Sequence, residues 1–154
     1  MSSDRKKIQR LSGIHLWLVL WKTFDAMRGF AAGNIASLGL GLSDFAVLEV
    51  LLHKGPMAVN AIGSTIRLTS GSISTAIDRL EAKGLVERRD DPGDRRSHVV
   101  HLTPEGRKLI TCAFAAHAAA MEEAASGLSL KERAQAIALL KKLGKRERAI
   151  SKLR

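Results

Sequence analysis

The stretch that decides the fold is LTSGSISTAIDRLEAKGLVERRDDPGDRRSHVVHLTPEG, residues 68–106. Its first part predicts a helix that Thr69 or Ser70 caps and that ends at Gly84, because hydroxyl side chains favour helix N-termini and glycine favours helix C-termini. The apolar residues of this helix recur at steps of three and four, which places them on one buried face: Ile73, Ala76, Ile77 and Leu80.

The second part of this stretch predicts a β-hairpin that leads into another helix. An extended segment begins at Leu85-Val86, the turn sequence DPGD occupies residues 91–94, and a valine-rich strand follows at residues 98–102. Thr103 and Pro104 then form a favourable helix start. A β-hairpin that directly follows the second of two short helices is typical of a winged helix-turn-helix, in which that second helix enters the major groove of DNA and the hairpin follows the backbone.

The sequence on either side of this helix and hairpin predicts five further helices, so the fold class is mainly α with a small β-wing. A first helix spans residues 8–31, a second starts at Ser43-Asp44 and runs to residue 52, and a short third helix is capped by Asn60 after an extended piece at residues 57–59. The helix that follows the hairpin runs to about residue 123. Ser129 and Glu132 form a capping box for the last helix, which ends near residue 153.

Composition favours one folded domain, residues 1–154, with no transmembrane helix, because no 18 consecutive residues are apolar. The net charge of +10 suggests a polyanionic partner, but +3 lies in residues 1–10 and +6 in residues 141–154. The single cysteine, Cys112, excludes an internal disulfide and favours a reducing cytoplasm.

The face of the 70–83 helix that lies opposite its apolar side is rich in hydroxyl groups. Hydroxyls near a helix N-terminus can bind phosphates or base edges, helped by the exposed backbone N–H groups. The candidate DNA-binding residues on this helix are Ser70, Ser72, Ser74, Thr75 and Arg79. The alternative interpretation is a polar face that only contacts solvent.

Residues 43–106 resemble the MarR family of bacterial regulators. That family has a wing motif of Asp, any residue and Arg, here Asp94, Arg95 and Arg96, before a Leu-Thr-x-x-Gly helix start, here residues 102–106. The resemblance implies that Arg96 enters a minor groove while Asp94 holds its guanidinium, and that Arg95 lies near a phosphate. Thr75 departs from the longer side chain common in the family, which puts base readout from that position in doubt. The alternative is a charged turn with exposed ion pairs.

The resemblance also implies an intertwined homodimer. The winged lobe would be residues 43–103, and the dimerisation helices residues 5–40 and 104–153. Two copies spaced one helical turn apart would read a palindrome in double-stranded DNA. Many relatives release DNA when a small aromatic or phenolic molecule binds, and the candidate pocket residues here are His15, Trp17, Trp21 and Phe45.

These observations favour a sequence-specific repressor, released by a small-molecule effector. One alternative is a winged-helix module for DNA architecture or protein interaction. Another is a redox sensor that uses Cys112, although the apolar neighbours of this residue predict a buried, inert thiol. We expect no catalysis, no cofactor, no membrane partner and no metal site, because the sequence lacks the motifs for them and His98 and His101 fall on opposite faces of a strand.

Overall fold

The structure, a computed structural model, describes residues 11–67, 69–91 and 94–151, without the side chains of residues 70, 91, 94–97 and 146–151. Within these ranges the chain forms six helices and three short strands, which confirms the predicted fold class. The elements are α1 (Gly13–Ser37), α2 (Leu42–Lys54), β1 (Met57–Ala58), α3 (Val59–Ile66), α4 (Ser70–Ala82), β2 (Val86–Asp91), β3 (Asp94–Leu102), α5 (Pro104–Ala124) and α6 (Leu130–Ser151).

Some helices begin where their predicted capping residues place them, and others do not. Thr69 caps α4 by accepting the Ser72 N–H, and the predicted capping box of α6 is present, with the Ser129 N–H donating to Glu132 Oε2 over 2.8 Å. The first helix starts at Gly13, five residues later than predicted, because Ser12 caps it, and it continues to Ser37.

Two predicted caps are wrong. Helix α2 has Gly41 as its N-cap, because Ser43 and Asp44 lie inside its first turn and use their side chains to bind Arg79. Helix α3 starts after Ala58 rather than at Asn60, because the preceding residues belong to a strand that leads directly into the helix.

The core lies under the inner face of α4, as its periodicity predicts. Ile73, Ala76, Ile77 and Leu80 are all buried there. They pack with apolar side chains of α2, α3, the strands and the first turns of α5, among them Val47, Leu48, Leu51, Ile62, Val86, Val100 and Ile110. Burial of this size makes the hydrophobic effect the main stabilising term and fixes which face of α4 points outward.

The hairpin is part of a three-stranded antiparallel sheet with the order β1-β3-β2. Val86 pairs with Leu102, and the pairing continues as far as Asp90 opposite His98, after which a register shift marks a bulge. The third strand, β1, was not predicted as part of the sheet. It pairs Met57 with Val100, so the base of the hairpin is attached to the residues that precede α3.

Helix α5 starts very close to the loop between α4 and β2. The Thr103 N–H donates to the Leu85 carbonyl over 3.1 Å, and Thr103 Oγ1 donates to the Gly84 carbonyl over 2.7 Å. A Cβ at Gly106 would lie 1.8 Å from the Leu85 carbonyl oxygen. Only glycine therefore permits this approach, which explains the glycine of the Leu-Thr-x-x-Gly start.

The chain divides into two compact units, Met1–Ala120 and Met121–Arg154. In the second unit, Arg133 anchors the start of α6 by donating to the Ala125 carbonyl over 3.1 Å and by pairing with Glu122. No single helix in the described ranges is long and apolar enough to cross a membrane; α1 and α2 satisfy that test only as a pair, bent by 85°.

Candidate nucleic-acid interface

The outward face of α4 presents short hydroxyl side chains, as predicted. Ser72, Ser74 and Thr75 are exposed, while the side chain of Ser70 lies outside the described residues. The hydroxyls of Thr69 and Ser72 are 2.8 Å apart, and Thr75 Oγ1 donates to the Gly71 carbonyl over 2.9 Å. Thr75 thus uses its proton within the helix and keeps its oxygen lone pairs for a donor such as a base amino group.

These hydroxyls line an open depression of about 520 Å³, formed by Ser43, Thr69, Gly71, Ser72, Thr75 and Arg79. It joins the first turn of α2 to the first turns of α4. Hydroxyls, one guanidinium and the N-terminal end of a helix share this surface, and each of these can bind phosphate oxygens. The depression therefore has the chemistry that a nucleic-acid backbone requires.

Arg79 belongs to this surface but is also bound to the protein. Its Nη2 donates to Asp44 Oδ1 over 2.6 Å and to Ser43 Oγ over 3.0 Å. The Asp44 side chain is 4% exposed, whereas that of Arg79 is 46% exposed. The hydrogen bond and charge of Asp44 raise the pKa of Arg79 above its ordinary value. The sequence did not reveal that Asp44 binds Arg79, because an Asp near a predicted helix start was interpreted as a cap.

The basic residues of the hairpin stem are neutralised by neighbouring carboxylates. Arg88 on β2 donates to Asp78 Oδ1 over 2.5 Å and also binds Glu81, so it links the strand to two acids of α4. Arg89 pairs with Glu87. Because these arginines are already paired, the hairpin stem offers little net positive charge to DNA.

The tip of the hairpin carries the residues that the family resemblance singles out. Asp94, Arg95 and Arg96 belong to β3 through their backbone, and their side chains lie outside the described residues, so their roles stay predictions. Across the strand pair, Oδ1 of Asp90 lies 3.3 Å from Nδ1 of His98.

The four predicted effector residues do not share one environment. His15, Trp17 and Trp21 are exposed on α1, whereas Phe45 is 3% exposed in the core and lies edge-on to the His117 ring at 5.0 Å. Nδ1 of His117 is in turn 2.8 Å from the Asn34 side-chain oxygen. Phe45 thus joins α2 to α5, and the effector pocket stays a prediction.

Cys112 is exposed, so the prediction of a buried thiol is wrong. Its apolar neighbours Ile110 and Ala113 are buried, but the rotation of the helix turns Cys112 away from Ile110. Cys112 instead lines a shallow, mainly apolar groove of about 510 Å³ with Leu38, Glu105, Lys108, Leu109 and Ala113.

Comparisons with known proteins decide the family. The sequence profile described as MarR family matches residues 38–97. YkoM of Bacillus subtilis, an HTH-type transcriptional regulator, is 35% identical over 144 residues, which are 94% of this chain and 92% of that protein. The chain belongs to the MarR family of transcriptional regulators.

Solved MarR-type structures have the same fold. A variant of MarR from Escherichia coli, in complex with operator DNA, superposes with a TM-score of 0.75 at 23% identity and covers 84% of this chain and 94% of its own. BpsR of Bordetella bronchiseptica, whose DNA binding is regulated by 6-hydroxynicotinic acid, gives a TM-score of 0.74 at 25% identity, with coverage of 84% and 98%. These superpositions confirm the winged-helix assignment.

Proposed function

We propose that this MarR-family chain is a non-catalytic, sequence-specific repressor that binds a palindromic operator in double-stranded DNA as a homodimer. The observation that carries the proposal is the hydroxyl-lined depression at the start of α4, with Arg79 at its edge. A variant of Escherichia coli MarR, which shares this fold, forms a complex with operator DNA, and this supports operator DNA as the partner. Such a regulator acts in the cytoplasm, where bacterial DNA lies.

The distribution of exposed apolar side chains supports the homodimer. Sixteen large apolar side chains are exposed in the part of the chain that the structure describes, and fifteen of them lie within residues 5–40 and 104–153, the predicted dimerisation segments. The sixteenth, Leu42, lies outside these segments, immediately before the winged lobe. Most of these residues lie on α1 and α6, and exposed apolar surface of this extent is typical of segments that another chain covers.

The DNA-binding proposal is tested by selecting duplexes from a random 30-base-pair pool with the purified protein. We expect a palindrome whose half-sites lie about 34 Å apart, which is one turn of the double helix. Thr75→Ala and Ser74→Ala should change the preferred base at one position or more, whereas Lys54→Ala, at the far end of α2, should leave the preference unchanged. Enrichment of no sequence above bulk DNA would favour the architectural alternative.

The dimer is tested by light scattering on two variants of exposed apolar residues. Phe24→Asp on α1 should shift the protein towards monomers and weaken operator binding, because a buried, unpaired carboxylate is costly in an interface. Leu42→Asp adds the same charge at the start of α2, outside the predicted dimerisation segments, and should remain dimeric. Equal behaviour of the two variants would place the interface elsewhere.

We also propose that a small aromatic acid releases the DNA, as 6-hydroxynicotinic acid regulates DNA binding by BpsR. The only two tryptophans of the chain, Trp17 and Trp21, are both candidate pocket residues, so intrinsic fluorescence reports directly on this surface. Added 6-hydroxynicotinic acid or salicylate should quench the fluorescence and release a bound duplex over the same concentration range. Release without a fluorescence change would move the pocket away from α1.

A further inference from the structure

A buried carboxylate holds one exposed arginine at the edge of the DNA-binding depression. Asp44 is the buried charged residue of the described core, and it lies in the first turn of α2. Its Oδ1 accepts from Arg79 over 2.6 Å, and its Oδ2 lies 3.7 Å from Lys83 Nζ. A desolvated carboxylate is stable only when it is paired, so Asp44 and Arg79 form one unit.

The geometry leaves most of the guanidinium available to a ligand. Within the described residues, both bonds of Arg79 use Nη2, one to Asp44 and one to Ser43. A guanidinium carries five N–H donors, so those of Nε and Nη1 remain for a phosphate oxygen. The exposed part of Arg79 lines the same depression as the hydroxyls of Thr69, Ser72 and Thr75.

Anchoring an arginine in this way changes what it contributes to binding. A free arginine side chain loses much of its rotamer freedom when it binds a phosphate, and that loss weakens the complex. Asp44 restricts the rotamers of Arg79 when the protein folds, so the Arg79 side chain is already oriented before DNA binds.

We propose that Asp44 is a positioning residue for DNA binding, which directs Arg79 at a phosphate of the DNA backbone beside the α4 groove. The inference rests on the proposed function, because it concerns the same surface. Asp44 touches no DNA itself and acts only through Arg79. The contact is to the backbone, so it contributes affinity on every sequence and no base preference.

A double-mutant cycle on the full-length protein tests the proposal, with the duplex that the wild type selects as the probe. Arg79→Ala should weaken binding about tenfold or more and should lower the salt slope of log K by roughly 0.9 for each lost phosphate contact. Asp44→Asn, which removes the charge and keeps the shape, should weaken binding about fivefold in the wild type and less than twofold in Arg79→Ala. Lys54→Ala controls for the loss of one positive charge, because it lies about 15 Å along α2 from Asp44.

The outcomes separate positioning from a purely structural link between α2 and α4. A structural link predicts that Asp44→Asn lowers the free energy of unfolding but changes affinity by the same factor in both backgrounds, or not at all. Either result overturns the inference. If Arg79→Ala does not fold, Arg79→Gln takes its place, because it removes the charge and keeps most of the aliphatic part of the side chain. Failure of the wild type to bind any duplex would instead refute the proposed function, and the inference with it.

Discussion

Replacement of Gly106 by alanine would test the packing that sets the start of α5 against the hairpin. In an ordinary helix this change is stabilising, since alanine has the better helix propensity by about 1 kcal/mol. Here the added Cβ would lie 1.8 Å from the Leu85 carbonyl oxygen and 2.8 Å from its carbon, whereas real Cβ contacts stay beyond 3.0 Å. The conflict is with backbone atoms, so no rotamer change relieves it.

The cost follows from what must move. The two segments have to separate by more than 1 Å, which strains or breaks the bonds that Thr103 makes to the carbonyls of Leu85 and Gly84. Two weakened hydrogen bonds cost ~2 kcal/mol and overpacking costs ~2 kcal/mol, from which the gain in helix propensity subtracts ~1 kcal/mol. We therefore expect Gly106→Ala to lower the free energy of unfolding by about 3 kcal/mol.

Urea unfolding, followed by circular dichroism at one fixed protein concentration, measures this difference. Gly144→Ala is the matched control, because Gly144 lies inside α6 with open space where its Cβ would be. It should leave stability unchanged or raise it by up to about 1 kcal/mol. If the free energy of unfolding of Gly106→Ala is within about 1 kcal/mol of the wild-type value, α5 does not approach Leu85 as closely as described.

Three further predictions concern single side chains. Arg88→Ala should lower the free energy of unfolding by about 2 kcal/mol and weaken DNA binding, because two carboxylates of α4 lose their cation. Urea unfolding measures the first effect and a mobility-shift assay the second. No change in either would mean that the ion pairs between β2 and α4 are unimportant. Cys112 should react with iodoacetamide in the native protein nearly as fast as in urea, as read by mass spectrometry, and strong protection would contradict its exposure. Bonds from the hydroxyl and then the backbone N–H of Ser129 lower the pKa of Glu132, so its stabilisation of α6 is present above the ordinary carboxyl pKa of 4.5 and is lost as the pH falls through the lowered value. Glu132→Gln should accordingly reduce helicity at neutral pH and match the wild type in acid; a difference that persists in acid would refute this.

Local patterns predicted those parts of the fold that local physics controls. The spacing of Ile73, Ile77 and Leu80 predicted which face of α4 is buried, because helical periodicity depends only on neighbouring residues. The Ser129 capping box was also predicted, since both of its partners lie within one turn. Once the buried face was assigned, the hydroxyl side chains of α4 could be placed on the opposite, outward face.

Features that depend on distant partners could not be predicted in this way. The bond between Arg79 and Asp44 spans 35 positions, so its carboxylate was interpreted as a local cap. Strand β1 has two residues and forms only because β3 has an open edge beside it. Cys112 was predicted to be buried because nearby residues are apolar, but helix rotation places it on another side from Ile110.

The surface of α4 is divided among three tasks that do not share residues. One side packs into the core, a second supplies the carboxylates Asp78 and Glu81 to Arg88, and the third presents hydroxyls outward. For protein engineering this separation means that positions 72, 74 and 75 can be randomised as a small library while the packing and the wing attachment stay constant. New operator preferences should then be obtainable without a search for compensating mutations elsewhere in the chain.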